Sequence, residues 1–154
     1  MSAQSLPYRD DRLISDARPV IIPDWTDYNG HFNVAYYVQA FDQAVRAFRD
    51  AEAGLPPLQL LRNKVVYLRE VHGGRHLTIT TQILSVSTHG IHLLQAMYVD
   101  ADGYLAAIEE RVADFVSDTS GMPVPLDETS FRALSDRARL HAGFPVPDGW
   151  GSLL

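Results

Sequence analysis

One amphipathic helix followed by a long run of strand-like sequence constrains the fold of this chain more than any other feature. Between Asn33 and about Ala53, large apolar residues recur at spacings of three and four: Val34, Tyr37, Val38, Phe41, Val45 and Phe48. This spacing predicts a helix roughly 30 Å long with one wide apolar stripe. Asn33 is suited to cap its start, and Gly54, with Pro56 and Pro57 behind it, is suited to end it.

Four strand-like segments follow the helix, joined by short connections that contain glycine. They run over 63–71, 75–87, 91–100 and 104–117. Connections such as His72-Gly73-Gly74 and Thr88-His89-Gly90 fit hairpins, so we expect one antiparallel sheet in which consecutive strands pair. The apolar pattern changes phase between Ile83 and Leu84, which predicts either a bulge in the second of these strands or burial of both its faces near its end.

The segments at either end complete the predicted arrangement. A further strand is expected over 18–23, at an edge of the sheet because prolines lie near both its ends. Residues 1–17 are expected to be an extended start, and 126–154 a second helix, opening near Asp127 and Glu128, with an irregular tail. A sheet and a long helix bury each other's apolar faces if the sheet curls around the helix, so we expect a single α+β domain over 1–154.

Composition narrows the function. The 154 residues, 46% hydrophobic and 21% charged, are typical of one globular domain. Thirteen basic against nineteen acidic residues give a net charge of −6, which disfavours a nucleic acid partner. The chain has no cysteine, which excludes disulfides and a thiolate nucleophile and fits a cytoplasmic location. Its first residues lack the basic and then apolar pattern of a secretory signal.

Membrane insertion and metal binding are not expected either. Residues 76–99 contain no Asp, Glu, Lys or Arg, but polar Thr, Ser and Gln residues interrupt them with the alternation of a strand. His72 and His76 flank one turn, and His89 and His92 another, so neither pair has the helical spacing of a zinc enzyme. No phosphate loop or dinucleotide fingerprint is present, so no cofactor is expected.

The densest group of reactive side chains lies in the loop before the helix. Residues 24–33 read Asp-Trp-Thr-Asp-Tyr-Asn-Gly-His-Phe-Asn. The first N–H groups of a helix lack partners and carry partial positive charge. A carboxylate beside them can act on a carbonyl, because the donors stabilise an oxyanion while the carboxylate attacks or deprotonates water. The alternative is that Asp27 or Asn29 merely caps the helix and turns the loop.

This loop resembles the signature of the hotdog-fold acyl-CoA thioesterases of the 4-hydroxybenzoyl-CoA thioesterase type. Residues 27–37, Asp-Tyr-Asn-Gly-His-Phe-Asn-Val-Ala-Tyr-Tyr, carry the resemblance, which extends over about 18–117. It implies a curled antiparallel sheet wrapped around one long central helix, and hydrolysis of an acyl-CoA thioester to a free acid and CoA. Residues 24–31, 67–71 and 141–145 look like the betainyl-CoA thioesterases, which makes betainyl-CoA a candidate substrate.

The resemblance also implies roles for individual residues. Asp27 corresponds to the catalytic aspartate, and the backbone N–H of Val34 to the donor that polarises the thioester carbonyl. The residues implied to contact or position substrate are Tyr28, Asn29, Gly30, His31, Asn33, Tyr37 and Tyr67. The family builds its active sites between subunits, so a homodimer or homotetramer is expected.

Charged residues outside the loop bear on the substrate. The candidates for holding the CoA phosphates are Arg62, Lys64, Arg69 and Arg75. If Arg62 and Lys64, shortly before Tyr67, face the pocket, their positive charge disfavours a cationic acyl group, although the many aromatic rings would suit a quaternary ammonium. The possible second carboxylates Glu70, Glu109 and Glu110 are interpreted as solvated strand residues.

Two alternative functions stay open. One is a hotdog enoyl-CoA hydratase, a branch with an Asp-x-x-x-x-His dyad. Only three residues separate Asp27 from His31 here, which disfavours it. The other is a non-catalytic acyl-CoA-binding protein.

Overall fold

The fold consists of a long helix against a four-stranded sheet, with a second helix at one sheet edge. The computed structural model describes residues 10–13, 23–52, 54–100 and 103–153. The elements, in chain order, are α1 (Tyr37–Ala51), β1 (Leu58–Tyr67), β2 (Leu77–Val86), β3 (Gly90–Val99), β4 (Leu105–Phe115) and α2 (Glu128–His141). Of the strand predicted over 18–23, positions 18–22 lie outside the described residues, and Pro23–Trp25 form a short 3-10 turn.

The long helix follows the predicted pattern closely. A 3-10 turn over Val34–Tyr36 precedes α1, and Asn33 caps it, since its side-chain oxygen accepts a 3.0 Å hydrogen bond from the Ala35 N–H. The helix ends at Ala51, and the chain turns at Gly54 with a φ of 85° that L-residues rarely adopt. The residues it buries are Tyr37, Ala40, Phe41, Ala44, Val45 and Phe48. Its apolar stripe therefore faces the core.

Strand order is the main difference from the expected sheet. All pairings are antiparallel, but the order is β1-β4-β3-β2, so β1 and β2 lie at opposite edges. The hairpin predicted between them at His72-Gly73-Gly74 is wrong, because residues 68–76 cross from one edge of the sheet to the other. A glycine turn signals that the chain reverses, but not which strand it pairs with. In addition, β1 spans Leu58–Tyr67 rather than 63–71.

The predicted bulge in β2 is confirmed, and α2 docks beside it. The register of β2 against β3 shifts between Ile83 and Ser85. The Ile83 N–H donates a 2.9 Å hydrogen bond to Nδ1 of His141, the last residue of α2. At its other end α2 is capped by Asp127, whose carboxylate accepts a 2.7 Å hydrogen bond from the Ser130 N–H. Both ends of α2 are therefore fixed.

Both faces of the sheet are covered. The face toward α1 carries the main core, which includes Ile79 and Met97, and the outer face carries Ile108 under Trp150 of the C-terminal tail. The prediction that Glu109 and Glu110 are solvated is therefore wrong, since their exposed fractions are 0% and 1%. The two side chains point to opposite faces of the sheet, as neighbours in a strand do. The Glu109 face is covered by α1, and the Glu110 face by the C-terminal tail. No helix within the described ranges is long and apolar enough to cross a membrane.

The tail is bound to the outer face through a buried carboxylate. One oxygen of Glu110 accepts a 2.7 Å hydrogen bond from the Gly151 N–H, and the other accepts one of 2.7 Å from the Leu153 N–H. The second oxygen also lies 2.8 Å from Nε2 of His92. Burial by itself would raise the pKa of Glu110, but these donors outweigh it and hold that pKa below its ordinary value. The irregular tail is thus an integral part of the fold.

Candidate active site

The loop before α1 is closed by its own backbone. The Asp27 N–H donates to the His31 carbonyl at 2.8 Å, and the Asn33 N–H donates to the Trp25 carbonyl at 2.8 Å. Gly30, at the tip, has a φ of 75°. These bonds fix the direction in which the Asp27 side chain leaves the loop.

The carboxylate of Asp27 uses only one of its oxygens within the loop. Its Oδ1 accepts hydrogen bonds from the N–H groups of Asn29, at 2.9 Å, and His31, at 3.1 Å. Its Oδ2 accepts none from the part of the chain that the structure describes. Asp27 therefore does stabilise the turn of the loop, as the alternative interpretation of the sequence predicted. The helix, however, is capped by Asn33 and not by Asp27 or Asn29. The second oxygen stays available for chemistry.

The crossover after β1 supports this loop from the side. The Phe32 N–H donates to the Val71 carbonyl at 2.6 Å, and the Gly73 N–H donates to the Gly30 carbonyl at 2.9 Å. The rings of His31 and His72 meet edge to face with centroids 4.7 Å apart. The crossover over residues 68–76, in which the sequence predicted a hairpin, thus supports the Asp27 loop.

A cleft of about 360 Å³ opens between the Asp27 loop, the first turn of α1 and the end of β1. It is lined by Asp27, His31, Phe32, Asn33, Val34, Tyr37, Tyr67, Leu68, Arg69 and Glu70. Six predicted site residues are therefore brought together: Asp27, His31, Asn33, Val34, Tyr37 and Tyr67. Three do not line the cleft, namely Tyr28, Asn29 and Gly30, and Tyr28 is 96% exposed.

A hydrogen-bond donor lies at the start of the helix, on the wall of the same cleft. Val34 is the first residue of the turn that precedes α1, and its N–H has no acceptor among the described residues. The side-chain oxygen of Asn33 takes the next N–H, that of Ala35. A free helix N–H beside a carboxylate is the arrangement that stabilises an oxyanion while the carboxylate acts on the carbonyl.

A family model identifies the superfamily to which this loop, helix and sheet belong. The model of the thioesterase-like superfamily matches residues 21–134, a range that contains the loop, α1 and the whole sheet. The chain belongs to this superfamily.

Individual thioesterases agree with the assignment. A betainyl-CoA thioesterase from Pseudomonas aeruginosa is 27% identical over 142 residues, which cover 87% of this chain and 89% of that protein. The crystal structure of a proposed thioesterase from Pseudomonas putida KT2440 is 25% identical, with a TM-score of 0.78 over 92% of this chain and 95% of that one. A Staphylococcus aureus protein solved in complex with CoA has a TM-score of 0.70 at 20% identity, over 93% of this chain and 90% of that one. The predicted hotdog-fold acyl-CoA thioesterase is thereby confirmed.

Aromatic rings line one wall of the cleft. Tyr37 stacks on Phe32 with centroids 4.2 Å apart and meets Tyr67 edge to face at 4.9 Å. Burial, together with the nearby Tyr104, Tyr67 and Glu70, raises the pKa of Tyr37 to about 12. Tyr37 is thus a neutral phenol at physiological pH, and its ring is held by contacts on two sides.

The lining of the cleft includes two residues that the sequence did not assign to the substrate site, Leu68 and Glu70. Both lie in the crossover, whereas the sequence placed them in a strand over 63–71. The Glu70 carboxylate lies 3.4 Å from Nδ1 of His31, and its side chain is 76% exposed, as predicted for a solvated residue. The signal that could have found them is the resemblance of residues 67–71 to the betainyl-CoA thioesterases, which includes both positions.

Among the basic residues, Arg69 reaches the cleft, where its guanidinium lies 3.9 Å from the centroid of the Tyr104 ring. Lys64 lies on the opposite face of the sheet, because its Nζ donates to the Gly149 carbonyl at 2.6 Å and lies over the Trp150 ring. Of the other two predicted CoA ligands, Arg62 is exposed and Arg75 is half-buried, and neither lines the cleft. No group of three or more metal-ligating side chains occurs within the described ranges.

Proposed function

We propose that Asp27 and the N–H of Val34 carry out the hydrolysis of an acyl-CoA thioester in this cleft. The supporting observation is that a carboxylate oxygen and a helix N–H, neither of which has a partner among the described residues, line one cleft. Asp27 either attacks the thioester carbonyl or takes a proton from the attacking water, while Val34 donates to the developing oxyanion. The C–S bond breaks, and water supplies the oxygen of the acid and the proton of the CoA thiol.

The test is CoA release from a panel of acyl-CoA esters by the wild type, Asp27→Asn and Asp24→Asn. Asparagine keeps the turn but is neither a nucleophile nor a base, so kcat should fall by roughly 100- to 10,000-fold in Asp27→Asn. Asp24 is an exposed carboxylate of the same loop and serves as the matched control. Near-equal activity of Asp27→Asn and wild type would exclude this mechanism. Hydration of an enoyl-CoA, or tight binding without turnover, would support one of the two alternatives.

For the acyl group we propose a small cationic acid of the betainyl type. The similarity to the betainyl-CoA thioesterase of P. aeruginosa supports this choice. The paired rings of Tyr37 and Tyr67 offer aromatic faces and edges of the kind that bind quaternary ammonium groups. Lys64, whose charge disfavoured a cation in the sequence, is turned to the other side of the sheet.

The proposed assembly is a homodimer or homotetramer with active sites at the subunit interface. Among the described strands, β1 pairs on one side only, with β4, and its exposed side chains include Leu61 and Tyr67. An unpaired strand edge is commonly covered by a second chain. Light scattering coupled to size exclusion would measure the subunit number, and a monomer with full activity would exclude the proposal. The cytoplasm is the proposed location, supported by the cysteine-free sequence.

A further inference from the structure

A cluster of charged side chains lies between α1 and the sheet, outside the cleft, and two of its members are buried. Arg111 of β4 donates through Nε to one carboxylate oxygen of Glu109, and through Nη1 to Asp42 of α1 at 2.6 Å. The amide of Asn63 donates to the other oxygen of Glu109 at 3.1 Å. Glu109 is 0% exposed and Arg111 3% exposed. The proposed hydrolysis uses none of these side chains.

The cluster lies directly behind the aromatic wall of the cleft. In the register of β1 against β4, Tyr67 is opposite Ala107, and Glu109 is the next residue of β4 on the same face. Such diagonal neighbours are about 7–8 Å apart, within reach of long side chains. Burial raises the pKa of Tyr67, and the Glu109 charge raises it further, as expected for this proximity. On the helix side, Asp42 follows Tyr37 by about 7.5 Å along the axis.

The charges of the cluster do not balance. Two carboxylates, Glu109 and Asp42, share the single guanidinium of Arg111. Burial limits the screening of the Glu109 charge by water and salt, whereas the Asp42 side chain is 40% exposed. The nearest further cations on α1 compensate it weakly, because Arg46 is exposed and Arg49 lies 3.8 Å from Asp50.

We infer that the surplus negative charge of Glu109 and Asp42 makes the cleft selective for a positively charged acyl group. This inference rests on the proposed hydrolysis and assigns it a specificity determinant. Hydrogen bonds from Arg111 and Asn63 hold the Glu109 carboxylate in place, so it acts on the substrate through space. The rings of Tyr37 and Tyr67 separate the two charges and prevent a direct ion pair. At an effective dielectric constant of about 20, a unit charge at roughly 8–10 Å from the acyl cation would change the preference by roughly tenfold to thirtyfold.

The experiment compares kcat/KM for betainyl-CoA with that for 3,3-dimethylbutyryl-CoA, in which a tert-butyl group replaces trimethylammonium at the same size without charge. Glu109→Gln should lower the betainyl to dimethylbutyryl ratio about tenfold, with activity on the neutral ester retained. Asp42→Asn should lower it by less, because the Asp42 side chain is 40% exposed and water screens its charge. Glu110→Gln is the matched control: it removes a buried carboxylate on the other face of the sheet and should leave the ratio unchanged.

The outcomes separate the inference from the function on which it rests. If the wild type hydrolyses neither ester nor any other acyl-CoA, the proposed function itself fails. If the wild type hydrolyses both but the ratio in Glu109→Gln stays within twofold of wild type, the charge inference is overturned. Should Glu109→Gln fail to fold, Asp42→Asn decides, and an unchanged ratio in that variant overturns the inference equally. A wild type that prefers the neutral ester also overturns it.

Discussion

Gly73 lies against Thr26 so closely that a Cβ on Gly73 would stand 2.8 Å from the Thr26 Cγ2 methyl group. Gly73 belongs to the crossover and Thr26 to the loop that carries Asp27, and the Gly73 N–H donates to the Gly30 carbonyl of that loop. This contact explains why the crossover needs a glycine at this position. The hydrogen bond also ties the crossover to the Asp27 loop.

Gly73→Ala is therefore expected to displace the Asp27 loop and lower both activity and stability. Overpacking of this kind costs about 1–3 kcal/mol of the free energy of unfolding. Thr26→Ser removes the Cγ2 methyl but keeps the hydroxyl, so the double variant Gly73→Ala/Thr26→Ser should recover most of the kcat that Gly73→Ala loses. Steady-state kinetics of the four proteins provide the measurement. A double variant no better than Gly73→Ala would contradict the contact.

Replacement of Tyr67 separates the effect of its ring from that of its hydroxyl. Tyr67→Phe keeps the ring next to Tyr37 and should retain kcat/KM for betainyl-CoA within about threefold. Tyr67→Leu removes the π-system, which contributes about 0.5–2 kcal/mol to binding of a quaternary ammonium. We expect Tyr67→Leu to lose kcat/KM on betainyl-CoA but not on 3,3-dimethylbutyryl-CoA. Equal losses on both esters would indicate that Tyr67 contributes shape rather than a cation site.

Local patterns in the sequence predicted the parts of the fold that are decided locally. The spacing of apolar residues identified α1, Asn33 was recognised as its cap, and the phase change at Ile83 marked the bulge in β2. The pairing of β1 with β4 was missed, because it depends on contacts between segments far apart in sequence. The burial of Glu109 was missed for the same reason.

The same distinction applies to the candidate site: residues of one contiguous motif were predicted, and those that depend on the strand order were not. Asp27, His31 and Asn33 belong to one contiguous motif, which also carries the family resemblance, and the cleft brings them together. Glu70 comes from the crossover, whose course depends on the strand order. Tyr28 lies in the motif but outside the cleft, since its position at the turn directs it to solvent. The contiguous motif therefore indicated where the candidate site lies, but not all the residues that line the cleft.

The carboxylate that holds the C-terminal tail predicts a loss of stability in acid. Because the pKa of Glu110 is lowered in the folded protein, its ionised form stabilises the fold above its ordinary pKa of about 4.5, and this is lost as the pH falls further. Glu110→Gln should lower the free energy of unfolding by about 1–3 kcal/mol at neutral pH. Urea unfolding across the pH range should show this difference shrinking in acid. A difference that is constant with pH would exclude ionised Glu110 as the cause.

A second pH dependence of stability is expected at the end of α2. There Nδ1 of His141 accepts a hydrogen bond from the Ile83 N–H, which requires a neutral imidazole. Burial, and next the charge of Arg137, lower the pKa of His141 from its ordinary value of 6.5. The fold therefore holds the neutral form, and its stability should fall as the pH drops below about 6.5, by at most about 1.4 kcal/mol per pH unit from this residue. In His141→Asn the amide oxygen can accept the same hydrogen bond without titrating. Urea unfolding of both proteins at about pH 7.5 and about pH 5.5 should show a smaller pH effect in His141→Asn. Equal pH effects in the two proteins would rule out His141 as the titrating group.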